Sequence, residues 1–345
     1  MARQPRHHSD LLTDLLKEVS RSFYLTLRIL PRPVRRQIGL AYLLARATDT
    51  IADAACAPVA TRLQALEQLR SRIAGPHHAP LDLSALLAQE EASSPSPAER
   101  ILLERIEEAL AVLNSFNKED QSLIREVLNT ITSGQSLDLE RFGSARGRPQ
   151  SLATAAELED YTYRVAGCVG EFWTRICLAH LFADAGLDEG VLLGDGIRFG
   201  KGLQLVNILR DLPRDLRSGR CYLPGDELAA AGLQPVDLLD PASEPRLRPV
   251  FHRWLDRAES HLRAGWSYTQ ALPRAAVRIR LACAWPLLIG ARTLCLLRLQ
   301  SPLTSASPVK IRRAEVRRLL AQSLFLYPFE QAWRHQFQRA LRPSR

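Results

Sequence analysis

The stretch that most restricts what this chain can become is Tyr42-Leu43-Leu44-Ala45-Arg46-Ala47-Thr48-Asp49-Thr50-Ile51-Ala52-Asp53. Its residues are good helix formers, and as a helix it places Tyr42, Arg46, Asp49 and Asp53 in one polar stripe beside an apolar one of Leu40, Leu43, Leu44, Ala47 and Ile51. Two carboxylates four residues apart on one helix face repel each other by a few tenths of a kcal/mol. A hard cation relieves that repulsion, and Mg²⁺ commonly bridges one or two carboxylates to a phosphate.

The rest of the chain carries the same helical period. Helices are expected over residues 10–29, 34–55, 60–73, 98–116, 119–139, 154–182, 190–212, 250–269, 275–298 and 314–325, separated by Pro- and Gly-rich connections, with no strand alternation. With only 18 Gly in 345 residues and many Leu, Ala, Arg and Glu, the composition also favours an all-α protein. No linker separates two cores, so the expected layout is a disordered 1–9, a single domain over 10–330 and a basic tail over 331–345. The six cysteines form no CxxC pair and read as reduced core thiols. The apolar run 281–297 is interrupted by Pro286 and Arg292 and reads as a buried helix. With no signal-peptide pattern at the start, a cytoplasmic location is expected, with peripheral membrane contact at product release left open.

Of the net charge of +9, most lies in residues 309–345, which hold nine Lys or Arg against two Glu. A basic segment attracts nucleic acid, anionic lipid or phosphorylated ligands alike. A nucleic-acid binder would leave the acidic stripes unexplained, so no nucleic-acid partner is expected.

A second acidic constellation lies in Gln204-Leu205-Val206-Asn207-Ile208-Leu209-Arg210-Asp211-Leu212-Pro213-Arg214-Asp215, with Gln204, Asn207, Asp211 and Asp215 at helical spacing. Pro213 is expected to kink or end this helix, leaving Asp215 on a turn. Further along the chain, Gly167 and Gly170 inside a helix ask either for close helix contact or for ligand room. Two acidic stripes facing each other would make a Mg²⁺ clamp for a diphosphate leaving an allylic carbon.

Ser20-Arg21-Ser22-Phe23, Asp49-Thr50-Ile51-Ala52-Asp53, Tyr161 through Gly170, and Asn207-Ile208-Leu209-Arg210-Asp211 with Asp215 resemble, in order, the motif set of the squalene/phytoene synthase family. The resemblance implies an isoprenoid synthase domain of the class I terpenoid synthase type, a helical bundle around a central cavity, working as a monomer on prenyl diphosphates. It implies Mg²⁺ held by Asp49, Asp53, Asp211 and Asp215 with Asn207 in support. Arg21, Ser22, Phe23, Tyr42, Arg46, Gln204 and Arg210 would line the substrate site, and Tyr161 would act near a cyclopropyl step.

Residues 309–313 and Cys283-Ala284-Trp285-Pro286 look more like squalene synthases than phytoene synthases. That implies two farnesyl diphosphates joined head to head to presqualene diphosphate, then reduced to squalene by NADPH or NADH, for sterol or hopanoid biosynthesis. Lys310, Arg312 and Arg313 would hold the dinucleotide phosphates. Ala52, where many squalene synthases carry Glu, gives a form shared with carotenoid relatives. Phytoene, dehydrosqualene, presqualene diphosphate and hydroxysqualene synthases are the enzyme alternatives. An inactive family member serving as an assembly factor is the alternative outside catalysis, opposed by all four Asp and Tyr161 being present.

Overall fold

The computed structural model describes residues 11–20, 24–54, 57–75, 81–83, 86, 96–143, 148–303 and 309–343. The motif residues Arg21, Ser22 and Phe23 lie outside them, as do Cys56, His77 and His78. The architecture is all-α, built as two compact units: Met1–Gly143 with Arg175–Ala183, and Ser144–Thr174 with Asp184–Arg345.

In the first unit the Arg32–Ala52 helix packs on Val59–Ala74, Ile106–Ser115 and Lys118–Phe142. Pro33 sits in its first turn, where a missing N–H leaves no hydrogen bond unmade. Leu40, Leu43, Leu44, Ala47 and Ile51 form its buried stripe, as their spacing predicts. Where one helix is expected over 98–116, the chain breaks at Arg105 into Pro97–Glu104 and Ile106–Ser115. Ser96 and Glu99 close a capping box at the start: Glu99 N–H donates to Ser96 Oγ, and Ser96 N–H to Glu99 Oε2.

The second unit centres on the Glu189–Arg217, Glu244–Ala271 and Val277–Leu299 helices. Three sequence expectations are corrected here. The Glu189–Arg217 helix does not end at Pro213 but continues four residues past it, where Leu212 and Leu216 on either side are buried and hold the last turns in place. The connection expected up to Pro249 is helical from Glu244, with Pro245 in the first turn. Two short strands, Gln150–Leu152 and Arg220–Pro224, pair in parallel after Gly219 turns the chain at φ 86°. The second strand's core, Cys221-Tyr222-Leu223, is buried throughout and so shows no alternation.

The segment read as a basic tail also differs. It folds into Glu330–Arg334 and Gln336–Ala340, which bury Trp333 and Phe337 against Trp266. Val277–Leu299 is long and apolar enough to cross a membrane by composition, but 78% of its apolar window is buried within the protein. Cys168, Cys177, Cys221, Cys283 and Cys295 are free and buried, as expected.

The expected helix over 154–182 contains a π-helical turn, Tyr163–Gly167, between Ala155–Thr162 and Cys168–Leu181. Beyond it, Gly170 meets Gly196 of the Glu189–Arg217 helix so closely that an added Cβ would lie 1.9 Å from Gly196 O. Close packing is therefore the reason for that glycine. Gly170→Ala should destabilise the protein by about 1–3 kcal/mol through overpacking, read as a lowered denaturation midpoint. An unchanged midpoint would show that the two backbones can part freely.

Candidate active site

In the first unit, Asp49 lies in the last turn of the Arg32–Ala52 helix, and Asp53 is its C-cap. Both carboxylates therefore stand at the negative end of a helix dipole, which adds to their mutual repulsion and favours a cation. Gln135 Nε2, from the Lys118–Phe142 helix, donates to Asp49 Oδ1 at 2.5 Å. Arg46 Nη1 lies 3.8 Å from Asp49 Oδ2, while its Nη2 is bonded closely to Glu99. Withdrawal from water, with the Asp53 charge added, pushes the Asp49 carboxyl up to about 6, against the opposing pull of Arg46 and Gln135. Its side chain is still 48% exposed, so a ligand can reach the raised carboxylate. Tyr42 shares this face two turns earlier.

In the second unit, Asp211 and Asp215 occupy the last two turns of the Glu189–Arg217 helix, again at a negative end. Arg210 grips Asp211 through two bonds, Nε to Oδ1 at 3.0 Å and Nη2 to Oδ2 at 2.7 Å. Arg214 Nη2 lies 3.6 Å from Asp211 and 3.4 Å from Asp215. Asp215 is nearly buried, and this withdrawal pushes its carboxyl up to about 6 although Arg214 opposes the shift. Because the helix continues past Pro213, Asn207, Asp211 and Asp215 follow one another at four-residue steps along one face. Asn207 is exposed and Gln204 half-buried.

Tyr161 stacks on Tyr222, with ring centroids 4.8 Å apart at 20°, and its Oη–H donates to Tyr222 Oη at 3.4 Å. The π-helical turn begins two residues later, a local widening that recurs at functional sites. Lys310, Arg312 and Arg313 are exposed ahead of and at the start of the Arg313–Leu326 helix. Sequence reasoning missed Glu99, Gln135, Arg214 and Tyr222. Only Arg214, inside the motif itself, had a local signal.

No group of three His, Cys, Asp or Glu able to hold a metal occurs among the described residues. The donor sets are carboxylate pairs, with Asn207 beside the second. Such all-oxygen sets fit a hard divalent cation that keeps waters and is completed by phosphate oxygens. The raised carboxyls give this fit a pH signature. Between the ordinary aspartate range near 4 and about 6, the folded chain binds more protons than the unfolded one. The stability these groups contribute is present in acid and lost as pH rises through about 6. Mg²⁺ should therefore raise the melting temperature at about pH 7.5 and do little at about pH 5. An equal response at both pH values would remove Asp49 and Asp215 from the metal set.

A family model described as squalene/phytoene synthase matches residues 16–318. The chain belongs to the squalene/phytoene synthase family. It is 30% identical to the presqualene diphosphate synthase of Zymomonas mobilis subsp. mobilis over 76% of this chain and 77% of that protein. It is 27% identical to the 15-cis-phytoene synthase of a Paracoccus species over 82% of this chain and 80% of that one. Among solved structures, TcSQS in complex with a ligand superposes with a TM-score of 0.72 over 96% of this chain and 98% of the other, at 21% identity, a likeness of fold alone. As a squalene/phytoene synthase family member the chain is a prenyltransferase-type enzyme of isoprenoid biosynthesis with a terpenoid synthase-like helical fold.

Proposed function

We propose that the enzyme condenses two farnesyl diphosphates head to head into presqualene diphosphate. The observation carrying this reading is that each unit sets a carboxylate pair at a helix C-terminal end, with one carboxyl of each pair raised to about 6. Two presqualene diphosphate synthases are 30% and 31% identical to this chain, and a 15-cis-phytoene synthase 27%.

Asp49, Asp53, Asp211 and Asp215, with Asn207 in support, would hold Mg²⁺. When bound, the cation supplies neutralisation of the charge that develops on the departing diphosphate. Gln135 fixes the Asp49 carboxylate and Arg210 fixes Asp211, so both groups are oriented before substrate arrives. Arg46 and Arg214 supply further positive charge near these carboxylates. Arg21, Ser22 and Phe23 keep the substrate-binding role the motif resemblance gives them, as do Tyr42 and Gln204. Closure of the cyclopropane ring releases a proton from carbon; the departed diphosphate is the base that takes it up, and Tyr161 Oη, held in place by Tyr222, is assigned to relay it, giving its own proton onward as it accepts the new one.

A second reading, onward reduction to squalene by NADPH, is favoured by the exposed Lys310, Arg312 and Arg313. Product analysis with farnesyl diphosphate and Mg²⁺, with and without NADPH, separates the two. Presqualene diphosphate in both incubations supports the condensation alone, whereas squalene only with NADPH supports the reductive reading. Phytoene from geranylgeranyl diphosphate, with farnesyl diphosphate left unused, would overturn both.

A further inference from the structure

The Arg313–Leu326 helix has an outer face unlike that of an ordinary surface helix. At 100° per residue, Arg313, Arg317, Arg318, Ala321, Leu324 and Phe325 fall on its outer half, and all six are exposed. Leu324 is 52% exposed and Phe325 74%; Phe329, just beyond the helix, is 58% exposed and lies against Phe325 at 6.3 Å between ring centroids. The helix's single acid, Glu315, turns inward to a close ion pair with Arg292. The face thus combines large apolar side chains with positive charge and carries no acid.

Beside this helix lies a cavity of about 440 Å³ lined by Arg318, Leu319, Leu326, Gln336, Arg339 and Arg342, with the Glu315 carboxylate, paired to Arg292, also in its wall. Gln336 is only 6% exposed, and its Nε2 donor has no hydrogen-bond partner. A buried donor without a partner costs about 1–3 kcal/mol, which an acceptor such as a phosphate oxygen would recover.

We propose that this face docks the enzyme on an anionic phospholipid bilayer. Leu324, Phe325 and Phe329 enter the boundary between headgroups and acyl chains, Arg317 and Arg318 meet the lipid phosphates, and the adjacent cavity accepts one headgroup. Interfacial helices bind through this same sum of apolar burial and attraction to anionic lipid. A second copy is a poor occupant, because a two-fold contact would set these arginines against their own equivalents. The argument does not depend on which prenyl diphosphate the enzyme takes.

Flotation of the full-length protein with phosphatidylcholine vesicles, with and without phosphatidylglycerol, tests the proposal. Strong recovery with the anionic vesicles, falling with added salt, is expected. The Phe325→Ser/Phe329→Ser double variant should lose roughly tenfold or more of the vesicle partition with an unchanged melting temperature, since both rings are exposed. Arg317→Gln/Arg318→Gln should lose a comparable amount and flatten the salt dependence. Equal recovery with both vesicle types, or full recovery of the phenylalanine variant, would overturn the proposal. So would a concentration-dependent dimer abolished by that variant, which would assign the face to a second copy, or retention by RNA without vesicle binding.

Discussion

Asp49→Asn is expected to lower kcat with farnesyl diphosphate by about a thousandfold, roughly 4 kcal/mol in the barrier, while leaving the metal-free protein at least as stable as before. Both halves follow from the surroundings of one side chain. The carboxylate is partly withdrawn from water and close to the Asp53 charge at the negative end of its helix, so it is costly to keep ionised. An amide removes that cost. It also keeps the structural contact, since Asn Oδ1 still accepts from Gln135 Nε2, and Arg46 retains Glu99. Steady-state kinetics and thermal melts of the same sample check the pair of outcomes. A loss of activity smaller than tenfold would remove Asp49 from the metal set, and a lowered melting temperature would mean that its charge serves the fold.

Trp333→Ala is expected to cost about 3–5 kcal/mol, the range for emptying a buried aromatic site, and to lower the melting temperature by on the order of 10 °C. Trp333 is 1% exposed and touches three aromatic or cationic neighbours: Trp266 at 5.6 Å, Tyr327 edge-on at 4.8 Å, and Arg280 above its ring at 5.8 Å. Trp266 Nε1 also donates to Arg334 O, which ties the final helical segments to the Glu244–Ala271 helix. Truncation after Phe329 should destabilise at least as much. Melts matching the intact chain in both variants would return residues 331–345 to the status of a tail.

These two residues also show where the sequence was legible. Asp49 and Asp53 announce themselves, because a short spacing within an apolar helix is visible to anyone counting by four. Their supports do not: Gln135 is 86 residues from Asp49, and Glu99 is 53 from Arg46. No local pattern encodes a partner at that separation. Trp333 was obscured differently, since the surplus of Lys and Arg around it spoke for solvent while two aromatics spoke for a core, and packing decided. Pro213 marks the limit of propensity, because a rule costing about 3 kcal/mol gave way to the burial of Leu212 and Leu216. The paired strands were too short, and Arg220–Pro224 too uniformly buried, for a period of two to register.

The wide turn at Tyr163–Gly167 adds about one residue to the winding of a helix, equivalent to roughly 100° of rotation. It acts as a phase adjuster between two clients with separate demands: Tyr161, which must lie flat on Tyr222, and Gly170, which must present bare backbone to Gly196. An uninterrupted α-helix would satisfy one and turn the other aside. The number of residues between 163 and 167 is therefore as constrained as the packing at Gly167, and deleting one of them would detune the tyrosine pair without touching either ring.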